Sequence, residues 1–157
     1  MPTPTYIPLA TVTLASADGS VDFTSIPATY RDLILVANYG AASAGFSGKA
    51  YLNADTTTSN YSGVRMVGNG STFYSSATGE SIRWEVQATA NSQVMLQIMD
   101  YSATDKHKTV LVRASNGGVA VEASASRWNQ TTAVNAVRLA FGTNFTIGST
   151  FSLYGVN

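Results

Sequence analysis

Cysteine is absent from this chain of 157 residues, histidine occurs once, and charged residues make up only 11% of it. Without cysteine the fold has no disulfide and no thiolate metal site. The formal net charge of +0 provides no basic surface for the phosphates of a nucleic acid. No apolar run approaches the roughly 18 residues of a membrane-spanning helix, and the first residues lack the features of a secretory signal. We therefore expect neither a nucleic-acid nor a membrane partner.

Side chains for catalysis are equally scarce. A histidine-assisted nucleophile could use only His107, whose lysine-rich polar surroundings are typical of a solvated loop. Residues 45–49 have the wrong spacing for either a nucleophile elbow or a phosphate loop. A glycosidase would need two close carboxylates, but Glu85 and Glu122 alternate with apolar residues, which predicts that both lie on the outer faces of strands, paired with arginines. We expect no enzyme activity, no metal ion and no cofactor.

The sequence is rich instead in segments with a period of two. Such alternation is typical of strands that bury one face. Residues 33–37 and 94–99 are apolar at both parities, which predicts central strands, and residues 94–99 are expected to pair with residues 110–112. The strict apolar alternations are Ile82, Trp84, Val86 and Ala88; Val119, Val121, Ala123 and Ala125; and Val137, Leu139 and Phe141.

These segments predict an all-β protein with little or no helix. About ten strands separated by glycine, asparagine and serine clusters favour a single antiparallel β-sandwich, jelly-roll-like, over residues 9–157. Residues 55–62 and 70–81 are expected to form surface loops. Residues 1–8 contain three of the four prolines, which predicts an extended N-terminal arm able to pair with a neighbouring subunit.

Aromatic residues outside the expected core are the candidates for binding, because tyrosine and tryptophan anchor protein interfaces and stack on sugars. Three of them fall in the predicted loops and Trp128 ends a strand, whereas Trp84 is expected in the core. Burial beneath the loops remains open as an alternative for the loop aromatics. Together with the arm, the candidate interface residues are Pro2, Pro4, Tyr6, Pro8, Tyr61, Phe73, Tyr74 and Trp128.

Two phrases near the ends of the chain carry a family resemblance. Residues 25–36 read Ser-Ile-Pro-Ala-Thr-Tyr-Arg-Asp-Leu-Ile-Leu-Val, and residues 148–155 read Gly-Ser-Thr-Phe-Ser-Leu-Tyr-Gly. They resemble the opening and ending that recur in small β-rich virion proteins of tailed bacteriophages. Both phrases contain segments, residues 33–37 and 151–154, that are expected to be buried strands.

The resemblance implies a structural role in the virion, after assembly in the cytoplasm of a host bacterium. A short free-standing module is expected to be a capsid decoration (cement) protein, which binds the major capsid protein or other virion proteins as a homo-oligomer, a dimer or a trimer. The alternative is a tail or fibre module for host attachment, with a glycan as its possible ligand.

Overall fold

The computed structural model describes residues 4–43, 47–84, 92–116 and 120–157. Within them the chain forms twelve strands and one short 3-10 turn, Thr58–Asn60. The strands are β1 Tyr6–Thr13, β2 Asp18–Phe23, β3 Asp32–Tyr39, β4 Gly48–Leu52, β5 Tyr61–Gly68, β6 Phe73–Thr78, β7 Ile82–Trp84, β8 Ser92–Met99, β9 Lys108–Asn116, β10 Ala120–Trp128, β11 Val137–Phe145 and β12 Thr150–Val156.

The strands form two antiparallel sheets. The larger sheet has eight strands in the order β1-β12-β3-β8-β9-β10-β5-β6, and the smaller has four in the order β2-β11-β4-β7. Strand β3 lies between β12 and β8, and β8 pairs with β9 so that Leu96 is opposite Val112. The predicted all-β, jelly-roll-like antiparallel sandwich is confirmed, as are the pairing of residues 94–99 with 110–112 and the central place of residues 33–37.

The core lies between the inner faces of the two sheets. Each fully buried Leu- or Phe-sized side chain contributes about 1.5–3 kcal/mol relative to exposure. Trp84 is fully buried, as its sequence pattern predicts, and its indole Nε1 donates a hydrogen bond of 2.8 Å to the Tyr39 hydroxyl. Phe151 and Leu153 of the closing phrase are buried as well. Further core residues include Val21, Phe23, Leu33, Leu35, Ala37, Leu52, Ile82, Leu96, Ile98, Val137 and Leu139.

Strand β10 is inverted relative to the prediction. Glu122 is buried on the inner face, and its neighbours Ser124 and Ser126 are buried with it, whereas Val121 is exposed. Trp128 shares the inner parity of the strand and is anchored in the core, so the register that buries this large ring also turns the serines inward. The predicted alternation is present, but the apolar residues Val121, Ala123 and Ala125 face out of the sandwich.

Two other predictions differ from the structure. Residues 73–78, expected in a loop, form β6, which pairs with β5 over Gly63 to Gly68. Residues 6–8 of the predicted arm lie in β1 and pair with β12, because the closing strand offers them unpaired backbone groups. The expected number of about ten strands is close to the twelve found among the described residues. Predictions concerning Pro2, Glu85, Val86, Ala88 and Val119 fall outside the described residues.

One buried lysine ties two loops at the same end of the sandwich. Lys108 is fully buried at the start of β9. Its Nζ donates hydrogen bonds to the carbonyl oxygens of Ala103 at 2.7 Å, Lys106 at 2.9 Å and Thr131 at 3.2 Å. The ammonium group thereby satisfies carbonyls of both the β8–β9 and the β10–β11 connections.

Candidate functional site

The outer face of the eight-stranded sheet is the candidate site, and its residues are set by cross-strand register. Directly opposed residues of an antiparallel sheet point to the same face, so each register row is one line of neighbouring side chains. One row runs through Tyr154, Ile34, Gln97, Leu111, Ala125, Val64 and Ala77. The next runs through Ser152, Val36, Met95, Arg113, Ala123, Met66 and Ser75.

Apolar side chains on this face are exposed to an unusual degree near β5, β6 and β10. The exposed fractions are 56% for Val64, 63% for Met66, 63% for Val121 and 91% for Phe73. Single exposed apolar residues are ordinary, but contiguous apolar patches on soluble proteins mark interaction sites. These four residues, called the β5–β6–β10 patch below, lie on adjacent strands and form one such surface.

An open pocket of about 1010 Å³ lies over this region of the sheet. Its lining includes Met66, Phe73 and Val121 from the patch and Met95 and Arg113 from the neighbouring strands. Apolar walls with one cationic side chain can bind an apolar side chain of a partner that carries a carboxylate nearby.

The charges on the face have one predominant sign. Arg113 and Arg127 occupy outward positions on β9 and β10 and are exposed. We compare the two register rows given above with the row on either side of them. Among their described residues, the outward-facing carboxylate is that of Asp32, which is buried. Its oxygens accept hydrogen bonds from the Asp100 N–H at 2.9 Å and the Gln97 amide at 3.2 Å. The accessible charge of this face is therefore positive.

On the inner side of the same strands, polar side chains support β6. The Arg65 Nε donates a hydrogen bond of 2.7 Å to the Ser76 hydroxyl, and its guanidinium carbon lies 5.6 Å from the ring centre of Tyr74. A guanidinium over a tyrosine ring contributes about 0.5–1 kcal/mol where it is partly exposed. Two residues of β6 are thus held by a side chain of β5.

The exposed residues of the predicted interface lie at the two edges of the eight-stranded sheet. Phe73 and Tyr74 are exposed on β6, and Pro4, Tyr6 and Pro8 are exposed at the β1 end of the sheet, whereas Pro2 is outside the described residues. The structure does not bring the β1 and β6 residues together, because they lie at opposite edges of the eight-stranded sheet.

Tyr61 and Trp128 are buried, so their prediction as interface anchors is corrected. Both rings are held by the loop that precedes β5. The Trp128 Nε1 donates to the Asp55 carboxylate at 2.7 Å, and the Tyr61 hydroxyl donates to the Asp55 carbonyl at 2.8 Å while accepting from the Leu52 N–H at 3.1 Å. The polar tips of these residues find partners inside the protein, which is why their rings can be buried.

Asp55 is the centre of this arrangement. Its carboxylate also accepts hydrogen bonds from the Asn60 amide at 2.8 Å and the Thr57 N–H at 2.9 Å. Partial burial disfavours the charged form, but the hydrogen bonds from Trp128, Asn60 and Thr57 outweigh it and lower the pKa of Asp55 to about 2. The carboxylate therefore stabilises the fold in its ionised state.

Replacing Asp55 by asparagine is expected to lower the free energy of unfolding at pH 7 by about 1–2 kcal/mol, a value reduced by the partial exposure of the site. Because the pKa of Asp55 is lower in the folded than in the unfolded chain, its contribution is present above about pH 4 and is lost as the pH falls towards 2. Urea unfolding of the two proteins at pH 7 and pH 2.5 should show the difference narrowing at the lower pH.

Asp105→Asn is the matched control, because Asp105 is an exposed acid in another loop. It should change stability little at either pH. An Asp55→Asn deficit that stays constant between pH 7 and pH 2.5 would contradict a role for the ionised carboxylate.

His107 is exposed in the β8–β9 loop, as its sequence surroundings predict. In the described ranges, no three metal-ligating side chains converge on one point. The described residues also include no helix of the length and apolarity needed to cross a membrane.

No protein-family model matches the chain, and no curated protein matches it either. Several solved structures resemble it at low identity. Galectin LEC-6 of Caenorhabditis elegans is 8% identical, with 94% of this chain and 95% of the galectin covered and a TM-score of 0.40. A human SPRY domain is 9% identical, with 95% and 96% covered and a TM-score of 0.37. An exo-inulinase of Aspergillus awamori is 16% identical, with 97% of this chain but 29% of the enzyme covered and a TM-score of 0.44. These similarities carry no inference about ligand or activity.

Proposed function

We propose that this chain is a non-catalytic structural protein of a tailed-phage virion, a capsid decoration protein that binds the head surface. The two phrases at residues 25–36 and 148–155 suggest the class of protein. The β5–β6–β10 patch supports a role in assembly, since a face of this kind is stabilised when a protein partner covers it.

The observation that carries the proposal is the exposure of Met66, Val121 and Phe73 on one continuous sheet face. Strand residues that serve only the chain's own fold are normally apolar inward and polar outward in an antiparallel sheet. Strand β10 has the opposite arrangement, with Glu122 and two serines inside and Val121 outside. Apolar residues on the outer face of a strand are useful to a protein that binds another protein through that face.

The partner that fits this face is a surface of the major capsid protein with apolar side chains and carboxylates. Arg113 and Arg127 supply the complementary positive charge, and charge complementarity selects the partner and speeds the encounter more than it adds affinity. Binding across adjacent capsid subunits in many copies would allow a modest individual affinity to stabilise the head.

Phage heads stripped of this protein should rebind the wild type at hundreds of copies per particle and release their DNA at a higher temperature than bare heads. The double variant Met66→Ser/Val121→Ser should bind at least tenfold more weakly, because it removes two exposed apolar anchors. Quantitative gel analysis of sedimented heads gives the copy number, and a DNA-binding dye gives the release temperature.

The control is Ile147→Ser, since Ile147 is 69% exposed but lies in the β11–β12 turn away from the patch. It should rebind like the wild type. Saturation at only a few copies per particle would reject the decoration role and favour the tail or fibre alternative, in which the purified protein should compete with the phage for adsorption to cells. Equal binding of the double variant and the wild type would reject the proposed face.

A further inference from the structure

Edge strands are where a sheet can pair with another chain. Among the described strands, the larger sheet ends at β1 and β6 and the smaller sheet at β2 and β7. An unpaired edge presents a row of N–H and C=O groups, and soluble proteins usually protect it with proline, charge or a bulge.

Three of the four edges carry such protection. Strand β1 contains Pro8 and a shift of register between Pro8 and Ala10. Strand β2 contains Asp18 and Asp22, and β7 contains Arg83. Charge on an edge strand discourages pairing, because a second strand would have to desolvate it.

Strand β6 has none of these devices. Its six residues, Phe-Tyr-Ser-Ser-Ala-Thr, include no charge and no proline, and they pair with β5 in unbroken register. The contacts of Arg65 with Tyr74 and Ser76 hold the strand in place from the inner side. Among the described strands, this edge is therefore supported from the inner side and has backbone groups available for pairing.

We propose that β6 is a homotypic pairing edge: two copies of this chain join β6 to β6 in antiparallel orientation about a two-fold axis perpendicular to the sheet. The eight strands of each copy then form one continuous sheet of sixteen. This inference names a surface for self-association and does not depend on the head-binding proposal.

The side chains of β6 are complementary to themselves, which is why a second copy is the partner that fits. A two-fold axis perpendicular to the sheet keeps the outer faces of both copies on the same side, so outward residues must meet outward residues. With the axis at Ser75, Phe73 lies opposite Ala77 of the second copy and Tyr74 lies opposite Ser76. Each large ring meets a small side chain, and no like charges are brought together.

The size of this contact predicts a reversible dimer. Five residue pairs with two rings from each copy bury less than the roughly 1,200 Å² at the lower end of standard interfaces. We expect a dissociation constant of about 10–100 µM. The dimer also places two β5–β6–β10 patches side by side on one face, because the outer faces coincide.

The test measures the mass of the purified full chain by sedimentation velocity between about 1 and 500 µM, in the absence of phage heads. The wild type should pass from monomer to dimer over this range. Ser75→Lys and Ser75→Asp should each raise the dissociation constant at least tenfold, because each brings like charges together at the axis. An equimolar mixture of the two variants should recover the dimer, since the lysine of one copy then faces the aspartate of the other.

Thr13→Lys is the matched control, because Thr13 is an exposed strand residue at the opposite edge of the same sheet. It should dimerise like the wild type, and circular dichroism should show all variants folded. A monomer or a trimer at 500 µM, a dimer insensitive to both Ser75 variants, or a mixture that stays monomeric would each overturn the proposal. Because no heads are present, these outcomes are independent of whether the protein binds capsids.

Discussion

Replacing Gly48 by alanine is expected to lower the free energy of unfolding by about 2–4 kcal/mol, the sum of overpacking and the loss of one buried hydrogen bond. A Cβ on Gly48 would overlap the Cε2, Cζ2 and Nε1 atoms of the Trp84 indole. That ring is fully buried and its N–H is bonded to the Tyr39 hydroxyl, so it cannot move without breaking core contacts. Guanidinium chloride unfolding followed by tryptophan fluorescence and circular dichroism measures the change.

Gly68→Ala is the control for a glycine-to-alanine change in a strand. No atom lies within 4 Å of a Cβ built on Gly68. Its stability should stay within about 0.5 kcal/mol of the wild type, as for ordinary surface substitutions. If Gly48→Ala were as stable as Gly68→Ala, the close packing of Gly48 against Trp84 would not be required by the fold.

Replacing Lys108 by methionine is expected to lower the free energy of unfolding by about 2–4 kcal/mol. Methionine keeps much of the length of the buried side chain but leaves the carbonyls of Ala103, Lys106 and Thr131 without their donor. The three bonds are part-buried, and each such lost hydrogen bond costs about 0.5–1.5 kcal/mol. Urea unfolding measures the total, and hydrogen exchange of the amides in the two connected loops should become faster.

Lys106→Met is the matched control, since Lys106 lies two residues earlier, in the β8–β9 loop. Its Nζ lies 3.6 Å from the Asp100 carboxylate, and both side chains are about half exposed. An exposed ion pair of this kind contributes about 0–1 kcal/mol, so the loss should be small. Equal losses for the two lysine variants would indicate that Lys108 acts through its charge and not through its buried hydrogen bonds.

The positions of most strands could be predicted because local alternation and turn residues determine them. Residues 33–37 and 94–99 are predicted to be central strands and residues 94–99 are predicted to pair with residues 110–112, and the three segments lie next to each other in the large sheet. The sequence does not predict strand β6, because Ser75 to Thr78 have no apolar alternation and the strand forms through its pairing with β5.

The direction in which β10 faces is predicted wrongly from its own residues. Val121, Ala123 and Ala125 alternate with Glu122 and two serines. The alternation itself is the same whichever of the two sets faces the core. Strands β3 and β8 have apolar residues at both sets of alternating positions. One set lies in the core, and the other, which includes Ile34, Val36 and Met95, lies on the outer face of the sheet.

The aromatic candidates show a similar limit. Tyr61 and Trp128 were indistinguishable from Phe73 and Tyr74 by composition, because all four stand next to polar residues. The difference arises in three dimensions, where Asp55 supplies hydrogen-bond partners that allow the first two to be buried. Phe73 and Tyr74 stand on the edge strand β6, where their side chains point to opposite faces of the sheet and both remain exposed.

By itself the sequence determined that this protein is an antiparallel all-β sandwich without disulfides, since periodicity, turn chemistry and composition act locally along the chain. It also placed Trp84, Leu33 and Phe151 in the core. Only the tertiary structure decided which face of β10 is buried, which aromatics are accessible and which edge is unprotected. Those properties depend on register and on neighbours that are distant in sequence, and they define the surfaces through which we propose that the protein assembles.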